Sequence, residues 1–284
     1  MKDAALRIPV AGSAMIEKRR MKYVIIGNGV AGITAAFTIR ARDSSAEIVV
    51  ISGESDYFYS RTALMYAFMD RMSLRDLEPH ERKVYDRQSI RRVRGWVVQL
   101  DADAHTVTLD SGSILQFDRL LLATGSVPRR PEWNGLDKAK EGVCHFVSLQ
   151  DLARCEHLAK TSYEAVLVGG GLIGVELAEC LVHHGRSLTF LVRDPWYWPV
   201  ALGGEEGAMI TEHIRRHGVN LLLSEQVAEV LNDSSGRVRA VRTVNGTEFP
   251  CQMLGIAIGV RPCIDWLKRV ATPPVASEAP SAIG

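Results

Sequence analysis

No stretch of this 284-residue chain is apolar for long enough to cross a bilayer as a helix; VLVGGGLIGV, at 166–175, is far too short and is broken by glycine. Cysteine is sparse. Cys144, Cys155, Cys180, Cys251 and Cys263 are scattered without a CxxC pair, which argues against a disulfide framework or a zinc site and for a reducing, cytoplasmic setting. An excess of charge of one sign is also missing. Against 34 Lys and Arg stand 33 Asp and Glu, a net charge of +1, so there is no electrostatic case for nucleic acid or an anionic membrane surface. The first twenty residues lack the apolar core and cleavage site of a secretory signal. They read as a loose tail, 1–20, ahead of MKYVIIG, with Met21 as an alternative start. His213 and His217 share a helix face, four residues apart, but no acidic or cysteine companion completes a ligand pattern. They read as solvated helix positions, as do the adjacent His183 and His184.

What is present is a repeat. An apolar content of 46% and a charged content of 24% describe a soluble globular chain with room for about two domains. VIIGNGVAG at 24–32 and VLVGGGLIG at 166–174 each run from an apolar strand through a glycine turn into a helix. The first copy predicts a strand at 22–26, a turn at 27–32, a helix to about 42 and a strand at 48–52. The second predicts a strand at 165–168, a turn at 169–174, a helix to about 184 and a strand at 188–192. Continuous apolar strands around a crossover helix are what a parallel sheet covered on both faces requires.

Downstream of each copy the texture changes to alternating apolar and polar residues, in SIRRVRGWVVQLDADAHTVTLDSGSILQF and in VAEVLNDSSGRVRAVRTVNGTEF. Turn signals at 101–104, 110–112, 233–236 and 245–246 make each an antiparallel meander. Both return through a buried strand, the first at 120–123, to a glycine in ATGSVP and AIGVRP. The expected fold class is therefore α/β, with two Rossmann-like three-layer dinucleotide-binding domains, each carrying an antiparallel β-meander insertion. The first spans 21–147 and the second 148–262; 263–284 reads as a truncated return segment and flexible tail, rich in Pro, Ala and Ser.

The glycines carry the chemistry. In each set, Gly27, Gly29, Gly32 and Gly169, Gly171, Gly174, the first allows the tight strand-to-helix reversal. The second lets a pyrophosphate approach the backbone, and the third lets the helix pack on the strand. The helix N-terminus then offers free N–H groups and a positive dipole end to phosphate. The residue closing the second strand sorts the ligands. Glu54, in VVISGES, is the candidate to bind ribose hydroxyls, a pattern that suits FAD. In FLVRDP the place goes to Val192 with Arg193 next, which leans towards the 2′-phosphate of NADPH; Asp194 beside it leaves NADH open.

With these motifs the chain resembles the two-dinucleotide flavoproteins of the pyridine nucleotide–disulfide oxidoreductase superfamily, in the branch of rubredoxin, ferredoxin and nitrite reductases. VIIGNGVAG, YFYSRTAL, LLLATGSVPRRP, LVGGGLIGVELA and AIGVRPCIDWL, in this order, carry the resemblance over about residues 21–267. It implies FAD on the first unit, NAD(P)H on the second, and hydride passing from nicotinamide to flavin. It further implies that Tyr59, Ser60 and Arg61 line the flavin side of the crevice, that Thr124 and Gly125 touch FAD, and that Glu176 points to the flavin–nicotinamide junction. Glu176 and Arg61 are the candidate catalytic residues. No cysteine lies in YFYSRTALMYAFMD, and Arg61 stands where a redox cysteine falls in the thiol branches, so a thiol mechanism at that position is excluded. Leu64, Met65 and Tyr66 occupy the place of a lysine usual in ferredoxin reductases. The glycine–aspartate motif that holds the flavin's ribityl chain in the family is not in 263–284. The implied partner is an electron acceptor, such as a small redox protein. The alternatives are a non-catalytic nucleotide-binding or regulatory subunit, or a chain whose FAD site a partner completes.

Overall fold

The structure, a computed structural model, describes residues 20–269. Of the expected tails at 1–20 and 263–284, residues 1–19 and 270–284 lie outside the described residues. The apolar run KYVII forms β1 (Lys22–Ile26), and α1 (Val30–Arg42) and β2 (Glu47–Ser52) follow. Two short helices, α2 (Leu64–Phe68) and α3 (Arg82–Arg87), precede β3 (Ile90–Arg94). The alternating segment makes the antiparallel meander β4 (Val97–Asp101), β5 (Thr106–Leu109) and β6 (Ile114–Gln116), and the chain returns in β7 (Arg119–Leu122). The parallel sheet runs β3-β2-β1-β7.

Alternation within these strands builds the three layers. Ile25, Ile48 and Val50 pack with Ile33 and Ala36 of α1 and Tyr85 of α3. Val24, Ile26, Val49 and Ile51 face the other way, against Val107 and Leu109 of the meander. A strand buried on both faces needs apolar residues at every position, which is why these runs are unbroken.

A linker contributes β8 (Ser126–Pro128), β9 (Val143–Cys144) and α4 (Leu149–Thr161). Ser148 starts α4 with a reciprocal capping box, the Asp151 N–H donating to its hydroxyl at 3.1 Å. The plan then repeats as β10 (Glu164–Val168), α5 (Leu172–His183), β11 (Ser187–Val192), α6 (Gly204–Arg216) and β12 (Asn220–Leu223). A second meander, β13 (Val227–Asn232), β14 (Val238–Thr243) and β15 (Glu248–Pro250), leads to β16 (Met253–Ile256) and β17 (Val260–Pro262). This parallel sheet runs β12-β11-β10-β16-β9. Ala165, Leu167, Phe190 and Val192 face α4 and α5, whereas Val166, Val168 and Leu191 face the meander.

The two halves differ at one edge. β9 pairs with β16 and extends the second sheet to five strands, while β7 ends the first sheet with Leu121 and Leu122 37% and 43% exposed. The halves meet in an antiparallel ribbon of β8 and β17, with Arg261 opposite Val127. The ribbon joins the ends of ATGSVP and AIGVRP, so the last element of each repeat pairs with that of the other. α2 packs against α4 and α5, and His184 Nε2 lies 2.6 Å from the Phe68 carbonyl, tying the first half's excursion to the second half's helix. Among the described residues no helix is long and apolar enough to cross a membrane.

Candidate functional site

Both glycine turns have the same internal wiring. The Gly27 N–H donates to the Ile51 carbonyl at 2.8 Å, and that of Gly169 to Leu191 at 3.1 Å. Ala123 N–H donates to Ile26 and Ala257 N–H to Val168, both at 2.8 Å. Gly27 and Gly169 have φ of +109° and +120°, a region that disfavours side chains, and a Cβ there would lie 2.1 Å from the Ala123 carbonyl oxygen and 2.3 Å from that of Ala257. The third glycines are closed in as well: a Cβ at Gly32 or Gly174 would fall within about 2 Å of the carbonyl oxygen of Gly27 or Gly169. The middle glycines are different. Gly29 and Gly171 form the N-caps of α1 and α5, and a Cβ on either would meet nothing within 4 Å.

That contrast tests the fit of a dinucleotide. Two of the three glycines are required by the fold's own packing, and the third leaves open space at a helix N-terminus whose first N–H groups lack intrahelical partners. Neither N-cap carries a capping side chain, so the donors of the first turn are left for a ligand. Both turns fit a pyrophosphate.

Around the first turn, Asn28 donates from Nδ2 to the Ser55 carbonyl at 2.7 Å and pins the segment after β2 to the glycine loop. Asn28 is the variable residue between two glycines, a position to which the glycine pattern assigns no role. The Glu54 carboxylate accepts from the Tyr59 hydroxyl, from Arg61 Nη1 at 3.0 Å and from the Leu149 N–H at 3.2 Å, with Arg61 Nη2 as a further donor. Arg61 Nη1 also donates to the Val147 carbonyl at 2.6 Å, and Gln150 Nε2 to the Glu54 carbonyl at 3.1 Å. The structure thus brings Glu54, Tyr59 and Arg61 into one cluster, bonded to the segment that starts α4. Any ribose role for Glu54 shares that carboxylate with Arg61. Burial pushes the Tyr59 hydroxyl far above its ordinary range, and its bond to Glu54 adds to this. Tyr59 is turned inward, 5% exposed, whereas the Ser60 hydroxyl is 3.0 Å from that of Thr62.

Thr124 and Gly125 follow β7, and the Gly125 carbonyl accepts from the Cys263 N–H at 3.0 Å beside the ribbon. Glu176 lies in the second turn of α5, and its carboxylate makes no hydrogen bond or ion pair among the described residues. Burial raises its carboxyl above the ordinary value, and the nearby Glu179 raises it further. Arg193 directly follows β11; its side chain is 77% exposed and only 3.7 Å from Asp194. Leu64 is buried, so it offers the site no charge in place of a lysine. Tyr197, in the segment that follows β11, is buried and donates its hydroxyl to the Gly171 carbonyl at 2.7 Å.

The family model described as pyridine nucleotide-disulphide oxidoreductase matches residues 21–274, nearly all of the chain described above. The chain belongs to the pyridine nucleotide-disulphide oxidoreductase family. Members of that family are NAD(P)H-dependent flavoprotein oxidoreductases that use FAD and NAD(P)H. Relatives in it include the ferredoxin–NAD(+) reductase component of the p-cumate 2,3-dioxygenase system of Pseudomonas putida. It is 32% identical over 253 residues, covering 88% of this chain and 60% of that protein. The nitrite reductase (NAD(P)H) of Bacillus subtilis (strain 168) is 28% identical over 246 residues, covering 86% of this chain and 30% of the relative. The fold is shared with a chain of the covalent putidaredoxin reductase–putidaredoxin complex, with a TM-score of 0.80 at 23% identity over 88% of this chain and 61% of that one. The chain therefore spans 30% to 60% of the length of these family members.

Proposed function

We infer that this chain is an FAD-dependent NAD(P)H oxidoreductase that passes electrons to a separate acceptor, with FAD on the unit at 21–147 and NADPH on the unit at 148–262. The observation that carries the reading is the pair of glycine turns, each with its middle glycine facing open space at an uncapped helix N-terminus. Two such turns on two parallel sheets, joined through the β8–β17 ribbon, suit two dinucleotides that must meet at their reactive ends. A bound flavin supplies the two-electron acceptor chemistry. The chain's residues bind and orient. Gly27, Gly29 and Gly32 seat one pyrophosphate; Gly169, Gly171 and Gly174 seat the other. Thr124 and Gly125 border the first ligand where the units cross.

Arg61 is assigned to hold the segment between the units, through Glu54 and the Val147 carbonyl, as much as to face flavin. Glu176, raised by burial and without a partner, is assigned to the flavin–nicotinamide junction, where it can carry a proton. Arg193, exposed and weakly paired, is assigned to the 2′-phosphate. The acceptor is proposed to be a small redox protein of the ferredoxin type, the kind named for the P. putida relative. The five cysteines are free, four of them buried, which supports a reducing, cytoplasmic setting.

A second reading concerns the FAD side. The open edge of β7, where Leu121 and Leu122 are 37% and 43% exposed, has no counterpart in the second unit, where β9 covers the equivalent edge of β16. Further polypeptide completing the FAD pocket, in cis or from a partner, accounts for this difference. Mass spectrometry of the cofactor released from purified protein tests the primary reading: FAD is the expected mass, and a colourless protein releasing none removes the enzyme assignment for this chain by itself.

A further inference from the structure

The segment 193–203, between β11 and α6, is fastened at several points. Trp196 donates from Nε1 to the Leu202 carbonyl at 3.1 Å, and the Trp198 carbonyl accepts from the Ala201 and Leu202 N–H groups at 3.0 Å each. At its start the Asp194 carbonyl accepts from the Ser224 N–H at 3.1 Å, and at its end Gly207 of α6 is so close that a Cβ would lie 2.5 Å from Trp196 Cδ1. Tyr197 is the inward side chain of this segment, 1% exposed, with its ring edge-on to Phe190 at 6.0 Å. Burial raises its hydroxyl above the ordinary range, so it stays protonated and donates.

The acceptor is the carbonyl of Gly171, the N-cap of α5, which also accepts the helix's first bond from the Val175 N–H at 3.2 Å. Two donors on one carbonyl fix the plane of the Gly171–Leu172 peptide. Because a trans peptide sets C=O and N–H on opposite sides, a carbonyl held towards the helix body turns the Leu172 N–H away from it, at a helix start where a Cβ on Gly171 would meet nothing within 4 Å. A hydrogen bond to the carbonyl also polarises the peptide and strengthens that N–H as a donor. The first unit has no equivalent: the Gly29 carbonyl accepts from the Ile33 N–H at 3.0 Å, and no side chain among the described residues donates to it.

We propose that Tyr197 is a positioning residue for the pyridine nucleotide, setting the Gly171–Leu172 peptide so that the Leu172 N–H meets the pyrophosphate. This rests on the assignment of NAD(P)H to the second unit. The difference between the units has a physical sense. A nucleotide that leaves and rebinds at every turnover gains from a cradle already shaped in its absence, because the ordering cost is then not charged to each binding event. The same fastened segment carries Arg193 at its start, so one rigid piece of chain presents both the pyrophosphate brace and the 2′-phosphate reader.

The test is Tyr197→Phe in the full chain, which keeps the ring and its packing and deletes the donor alone. Affinity for ADP-ribose, which has the pyrophosphate, is measured beside affinity for adenosine 2′-monophosphate, which lacks it. The variant should bind ADP-ribose about three- to tenfold more weakly, the worth of one hydrogen bond, and bind the monophosphate as the wild type does. Equal ADP-ribose affinity in both proteins, or equal weakening for both ligands, overturns the proposal. A wild-type chain that binds neither ligand overturns the nucleotide assignment itself, and the proposal with it.

Discussion

At the scale of single residues the site separates side chains that hold the fold from those kept for a ligand. Arg193 directly follows a buried strand yet is exposed and loosely paired, which leaves it available for the 2′-phosphate proposed for it. Replacing it, Arg193→Glu, should cut the preference for NADPH over NADH about ten- to hundredfold, the worth of a charged hydrogen bond; kcat/KM for the two coenzymes reads it. Glu176 is held at a cost. Burial raises its carboxyl, so the folded state favours the protonated form, and that stabilisation is complete below the unfolded value of 4.5 and lost as pH rises through the raised one. Glu176→Gln should therefore raise the Tm at pH 8 and leave it nearly unchanged at pH 4; a loss of stability at pH 8 contradicts the placement. These positions were only partly legible. Arg193 and Glu176 stand at fixed offsets from a strand and a glycine turn, and offset is what sequence records. The Glu54–Arg61 pairing spans seven residues of irregular chain, where no periodicity says which side chains meet. The role of Tyr197 is not legible for a similar reason: a loop aromatic marks packing but gives no direction to its hydroxyl.

At the scale of elements, the strand–turn–helix unit is built from glycines with two separate duties. Gly169→Ala puts a Cβ 2.3 Å from the Ala257 carbonyl at a φ of +120°, and should cost at least about 2 kcal/mol of stability. Gly171→Ala meets no protein atom within 4 Å at an extended φ of −117°, so the Tm should stay close to wild type while NADPH affinity falls, because the methyl takes the phosphate's space. Thermal unfolding and coenzyme titration of the two variants side by side read both duties. β1 begins and ends where the expected strand does, and β10 starts one residue ahead of its expected strand, because a strand buried on both faces writes itself into sequence almost without gaps. β9, β8 and β17 are two or three residues long, and two of them hold proline. Their existence depends on a neighbour's edge, which no local pattern encodes.

At the scale of the whole molecule, one plan is used twice and then differentiated. The duplicated hydrogen bonds of the glycine turns record the common plan. The fifth strand, the Tyr197 brace and Arg193 belong to the second half, and the Glu54–Arg61 cluster binds the first half to α4. The first turn is proposed to hold the electron-accepting flavin and the second turn the donor. This assignment is tested most directly by anaerobic NADPH titration of the FAD-loaded chain, followed through the flavin's visible absorption, in wild type, Gly29→Ala and Gly171→Ala. The wild type should bleach, Gly29→Ala should lose FAD, and Gly171→Ala should keep its flavin but need far more NADPH to bleach it. Flavin absorption that NADPH leaves unmoved in the wild type, or flavin lost from Gly171→Ala and kept by Gly29→Ala, contradicts that assignment.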